Sequence, residues 1–162
     1  MSTAVVLGPV LSETVSADLH FAVDKMFVQM FNVSPKSNFK VIEREALPAG
    51  DVTGIIGLNQ KHSMANLIIV MPRQTVFALL KNLYGREFSE VDKLATGLVG
   101  EVTNIVYGVL KTRLNEKGFT LGGFGIPQIF AGAKPNVPKD AWILCGNFTS
   151  DVGGFHAIVA RA

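Results

Sequence analysis

Ser89–Lys117 reads SEVDKLATGLVGEVTNIVYGVLKTRLNEK, and this stretch decides the fold class. Its apolar residues Val91, Leu94, Ala95, Leu98, Val99, Val102, Ile105, Val106 and Val109 recur at helical spacing. At about 100° per residue they form one broad stripe, the mark of a long amphipathic helix that packs on a sheet. Ser89 is placed to open this helix, with Asp92 three residues on as an acidic partner for the free amides, and Gly118 is placed to end it.

A second, narrower stripe on the same helix holds Lys93, Gly97, Glu101, Asn104, Gly108 and Lys111. Glu101 and Asn104 are three apart, so their side chains are neighbours and point the same way. Gly97 lies one turn before Glu101, and Gly108 one turn after Asn104. A mid-helix glycine costs about 1 kcal/mol relative to alanine, and the helix carries a third at Gly100. Glycine on an exposed helix face is explained when another body approaches the backbone closely. The stripe therefore reads as a docking surface, bare at both ends, with a carboxylate and a carboxamide in the middle and Lys93 and Lys111 framing it. Spacing alone leaves the plainer reading open, because Glu and Asn also suit a solvated helix face.

Working outward, a first helix runs from about Ser12, its expected cap, to Phe31, with Val15, Leu19, Ala22, Val23, Met26, Phe27 and Met30 on its inner face. Strands are expected over Asn38–Ala46, Val52–Leu58 and Ala65–Met71, the last two forming a hairpin across the turn Asn59–Ser63. Pro72 suits the first position of a second helix, with Val76, Phe77, Leu80 and Leu83 inside and Gly85 as a left-handed stop. After the long helix, strands are expected around Phe119–Ala131, Ala141–Phe148 and Phe155–Ala160, with a loop at Gly132–Asp140. Strands grouped in runs of three predict an α+β fold with a largely antiparallel six-stranded sheet. No linker divides the chain, so residues 1–162 are expected to form a single domain.

Composition excludes several classes. The chain has 162 residues, 48% hydrophobic and 17% charged, which is incompatible with disorder. The longest apolar runs, such as Leu67–Met71, are five residues and far too short for a membrane span. Ala4–Leu11 is apolar but brief and lacks preceding basic residues, so it is not read as a signal peptide. The net charge of +2 comes without a basic stripe, which argues against nucleic acid. Cys145 is the only cysteine; it is read as a core residue and fits a reducing cytoplasm. His20, His62 and His156 are scattered without a second ligand at metal spacing, so no metal site is expected. Gly122-Gly123-Phe124-Gly125 follows a helix instead of a strand and reads as a bent or bulged strand, not a phosphate loop. Ser12, Ser16 and Ser89 read as caps.

Gly100-Glu101-Val102-Thr103-Asn104-Ile105-Val106-Tyr107-Gly108 resembles the signature of the CheX/CheC/FliY phosphatases, in which a long helix carries Glu-x-x-Asn with a glycine four residues later. Val-Thr-Gly-Ile-Ile-Gly at 52–57 is similar to that family's central strand. Leu67–Gly85 is similar to its second strand and short helix, and Gly125–Gly132 to its Pro-containing strand. The resemblance covers most of the chain, from about Phe21 to Val159.

It implies a CheC-like fold, with long helices on one face of the sheet and pseudo-duplicated helix-plus-three-strand halves. It also implies hydrolysis of the phosphoaspartate of a CheY-like response regulator. Asn104 matches the residue that orients the attacking water, and Glu101 the acid that pairs with the regulator's lysine. Gly97, Gly108, Lys93 and Lys111 are the expected docking residues. No cofactor of its own is implied; Mg2+ belongs to the regulator. The first helix, with Asp24-Lys25-Met26-Phe27 and Gln29-Met30-Phe31-Asn32, does not repeat Glu-x-x-Asn. One site per chain points to the CheX branch and a homodimer. The other reading is a non-catalytic module that binds receiver domains or dimerises.

Overall fold

The computed structural model describes residues 8–60, 64–122, 125–132 and 134–162. In chain order the elements are α1 (Gly8–Phe31), β1 (Lys36–Ile42), a 3-10 turn (Arg44–Ala46), β2 (Val52–Gly57), β3 (Ala65–Met71), α2 (Arg73–Tyr84), α3 (Lys93–Glu116), β4 (Gln128–Ala131), β5 (Trp142–Thr149) and β6 (Phe155–Arg161). The six strands form one sheet in the order β1-β5-β6-β3-β2-β4, and every neighbouring pair is antiparallel. Exchanging β1 with β4, β2 with β5 and β3 with β6 reads the same order backwards. That is the pseudo-duplication expected of the chain.

Strand β3 is apolar at successive positions because both of its faces are covered. Leu67, Ile69 and Met71 point into the main core beneath the helices. Ile68 and Val70 point into a smaller cluster on the opposite face, under Leu47 and Val137. Helices α1 and α3 lie side by side on the main-core face, α1 against β5 and β1, α3 against β2, β3 and β4.

Gly54 sets how closely α3 can approach. A Cβ there would fall 2.2 Å from Thr103 Oγ1, so only glycine admits the helix at this distance. Thr103 is fully buried, and its hydroxyl donates to Val99 O at 2.7 Å. A second tie joins the helices. Asp18 of α1, only 1% exposed, accepts from Arg113 Nε at 2.9 Å and from Lys117 Nζ at 2.7 Å. Such a pair gains only if the buried carboxylate keeps its partners.

Several boundaries differ from the sequence expectation. Helix α1 begins at Gly8, so Ser12 and Ser16 lie inside it and are not caps; of Ala4–Leu11, residues 4–7 lie outside the described residues. Strand β1 starts at Lys36 and gives way to the 3-10 turn before Ala46. In α2, Pro72 is the N-cap, and Leu79 is buried where Leu83 was expected, Leu83 being 40% exposed. Gly85 does stop the helix in the left-handed region, at φ 70°. Only Gln128–Ala131 of Phe119–Ala131 pairs as a strand. Gly122 and Gly125 are therefore loop residues, not part of a bulged strand; Gly123 and Phe124 lie outside the described residues, as do residues 61–63 of the hairpin turn. Strand β2 is next to the β4 edge, and β3 and β6 hold the centre. Pairing order is a long-range property that no local pattern encodes.

A helix face beside an open groove

Helix α3 carries the candidate site. Its N-cap is Asp92, not Ser89: the Asp92 carboxylate accepts from Leu94 N at 3.0 Å and Ala95 N at 3.2 Å. A carboxylate held there also complements the positive end of the helix. The helix ends at Glu116, and Gly118 follows at φ 87°. Its inner face is broader than the apolar stripe suggested, since Thr103, Tyr107, Leu110 and Leu114 are also buried.

The outer face holds the predicted stripe. Lys93, Gly97, Glu101, Asn104 and Gly108 are all exposed, and Lys111 is half-buried. The Lys111 ammonium sits 5.7 Å from the Tyr107 ring, so it leans away from the line that Lys93 begins. A Cβ at Gly97 or Gly108 would meet nothing within 4 Å. Neither glycine is required by packing within the chain. Gly100 differs, because a Cβ there would touch Ile129 at 3.5 Å; it belongs to the contact with β4. Glu101 and Asn104 make no hydrogen bond or ion pair among the described residues. Both side chains are available to something outside the chain.

Periodicity gave no sign of a groove that opens beside Gly97 and Glu101. Met30 of α1, Leu83 and Tyr84 of α2, and Leu94 of α3 wall it. Its parts come from three helices, so it exists only after they pack. The one local signal was the apolar pair Leu83-Tyr84 just before Gly85.

Among the described residues no group of three or more His, Cys, Asp or Glu side chains is placed to hold a metal ion. No described helix is long and apolar enough to cross a membrane. His20 bonds to Ser37 Oγ at 2.6 Å and stacks on Phe148; His62 lies outside the described residues. Cys145 is buried in β5, and burial pushes its thiol above the usual value, partly offset by the nearby Lys40 ammonium.

A carboxylate and a carboxamide stand exposed on an open helix face, with Glu101 at the rim of the groove, where a group held by another molecule can reach them. The fold and this surface together define a pseudo-duplicated α+β protein of the CheC-like type. The sequence model of the family described as chemotaxis phosphatase CheX matches residues 52–149, and the chain belongs to that family. No curated protein matches the sequence.

Solved structures share the fold. A CheC-like superfamily protein from Shewanella sp. PV-4 is 23% identical, with a TM-score of 0.77 over 92% of this chain and 97% of that one. Chemotaxis protein CheX from Vibrio vulnificus is 22% identical, with a TM-score of 0.77 over 90% of this chain and 97% of that one. A chain of the CheX-CheY-BeF3-Mg2+ complex from Borrelia burgdorferi is 21% identical, with a TM-score of 0.68 over 89% of this chain and 94% of that one.

Proposed function

We propose that this protein hydrolyses the phosphoaspartate of a CheY-like response regulator, with the outer face of α3 seated at the regulator's phosphorylation site. The observation that carries the reading is the pair of exposed glycines. Each costs helix stability, each faces open space, and they bracket an unpartnered Glu101 and Asn104. That pattern suits clearance for an incoming backbone. Family membership supports the chemistry, and the Borrelia relative has been solved with CheY.

In the proposed reaction Asn104 holds a water molecule in line with the phosphorus. Its Oδ1 accepts a hydrogen bond from the water, and its Nδ2 can donate to a phosphoryl oxygen. The water oxygen forms a bond to phosphorus as the acyl-phosphate P–O bond breaks. The regulator regains its aspartate carboxylate, and the water's proton leaves on inorganic phosphate or to solvent. An acyl phosphate is already reactive, so positioning and charge stabilisation suffice. Glu101 pairs with the regulator's lysine and fixes the dock. Lys93 lies at the rim toward the groove. Mg2+ stays with the regulator. A homodimer with one site per subunit fits the CheX branch, and equilibrium sedimentation reads it directly.

The test is decay of phosphoryl label on a CheY-like regulator from the same organism. Wild type should accelerate decay, and Asn104→Ala should not while still binding the phosphorylated regulator. Glu101→Ala should weaken that binding. Binding by wild type without any acceleration would replace the phosphatase reading with that of a receiver-docking module.

A further inference from the structure

On the sheet face away from the helices, three polar residues form a row across three strands. Asn38 of β1 pairs in register with Asn147 of β5, and Asn147 pairs with His156 of β6. Lys40 stands one step along β1, opposite Cys145. Cross-strand partners on one face have Cβ atoms roughly 5 Å apart, so these side chains crowd one spot. Ala46 and Pro48 close the far side, giving an open groove of about 230 Å3. That is smaller than a drug-sized ligand pocket and leaves room for a small anion.

Two features distinguish this spot from ordinary sheet surface. The centre of the same face is apolar and buried, built from Ile68, Val70, Ile143 and Ile158. In the groove, by contrast, no hydrogen bond or ion pair engages the Asn38, Lys40, Asn147 or His156 side chains among the described residues. Two amides and an imidazole in register could bond one another and do not. The lining is rich in donors and holds no carboxylate. Burial lowers the His156 imidazole and raises the Cys145 thiol, which marks the floor as partly dehydrated.

We infer that this groove binds a small oxyanion, a phosphate or carboxylate group held by Lys40, Asn38, Asn147 and His156. Charge-assisted hydrogen bonds to such a group are the strong ones. The site lies on the opposite face of the sheet from α3 and does not depend on the phosphatase reading.

Nuclear magnetic resonance on the intact protein tests it. The His156 imidazole and the Asn38 and Asn147 side-chain amides are followed during titration with sodium phosphate and, separately, sodium citrate, with sodium chloride matching the ionic strength. The expected result is saturable shifts at these three residues, with His20 on the other face unmoved. Lys40→Ala should weaken binding about tenfold without changing the remaining spectrum. Saturation by phosphate alone identifies a phosphorylated ligand, and by citrate alone a polycarboxylate. No saturation by either anion to about 50 mM, a range that would detect even millimolar binding, overturns the inference. So does unchanged affinity in Lys40→Ala.

Discussion

The two long helices occupy equivalent places in the two halves of the fold; they bury the same positions and differ most on their outer sides. Val15, Asp18, Leu19, Ala22, Val23, Met26 and Phe27 are buried in α1, with the same gaps as Ala95, Leu98, Val99, Val102, Thr103, Val106 and Tyr107 in α3. On that phase Ala17, Phe21, Asp24 and Val28 stand where α3 has Gly97, Glu101, Asn104 and Gly108. Phe21 is 40% and Val28 45% exposed. The Arg113 guanidinium lies 3.9 Å from the Phe21 ring, and Asp24 accepts from Ser34 Oγ at 2.7 Å. The inner faces match because both must fill the same sheet surface. The outer faces are free to differ, and only α3 offers clearance and unengaged polar groups. The proposed chemistry therefore sits on the face that packing does not dictate.

The most direct way to break the comparison is Asn104→Ala, which should slow dephosphorylation at least about a hundredfold while leaving the melting curve unchanged. A loss of folding instead would make Asn104 structural and erase the contrast with Asp24. The inner faces are tested by Gly54→Ala. The new methyl collides with Thr103, and urea denaturation should show a loss of about 2–3 kcal/mol. Asp18→Asn probes the tie between the helices. It leaves Arg113 and Lys117 to be rehydrated, so the loss should be nearer 2 kcal/mol, readable in the same experiment.

Smaller effects sharpen the contrast. Gly97→Ala should stabilise the protein by up to about 1 kcal/mol, because its Cβ meets open space. The same change should slow dephosphorylation several-fold, by occupying the clearance. Stabilisation without any kinetic cost would mean that nothing approaches the backbone there. Smallest of all, grafting Phe21→Glu with Asp24→Asn onto α1 should leave the rate within roughly 20% of wild type, an energy of about 0.1 kcal/mol. Val28 and Ala17 still fill the positions where α3 has glycine. A doubled rate per chain would show that Glu-x-x-Asn suffices without clearance.

The residue order by itself determined what depends on neighbours in the chain. Helical spacing placed Glu101 and Asn104 on one exposed line and Val99, Val102 and Val106 beneath them. An uninterrupted apolar run marked β3, and Gly85 marked the end of α2. Runs of three strands gave the α+β class. Tertiary structure decided what depends on segments far apart. Ser89 and Asp92 are both competent caps by composition, and Asp92 caps because packing of Ala95 and Leu98 fixes where the helix begins. Leu79 is buried and Leu83 is not, because the contacts of α2 with α1 and α3 decide which of its apolar residues face the core. The sheet order, the seating of Thr103 over Gly54, the burial of Asp18 against Arg113 and Lys117, and the polar row Asn38–Asn147–His156 all arise from pairing between strands or helices distant in sequence. Local periodicity can say which face of an element is apolar; only the assembled fold says what that face meets.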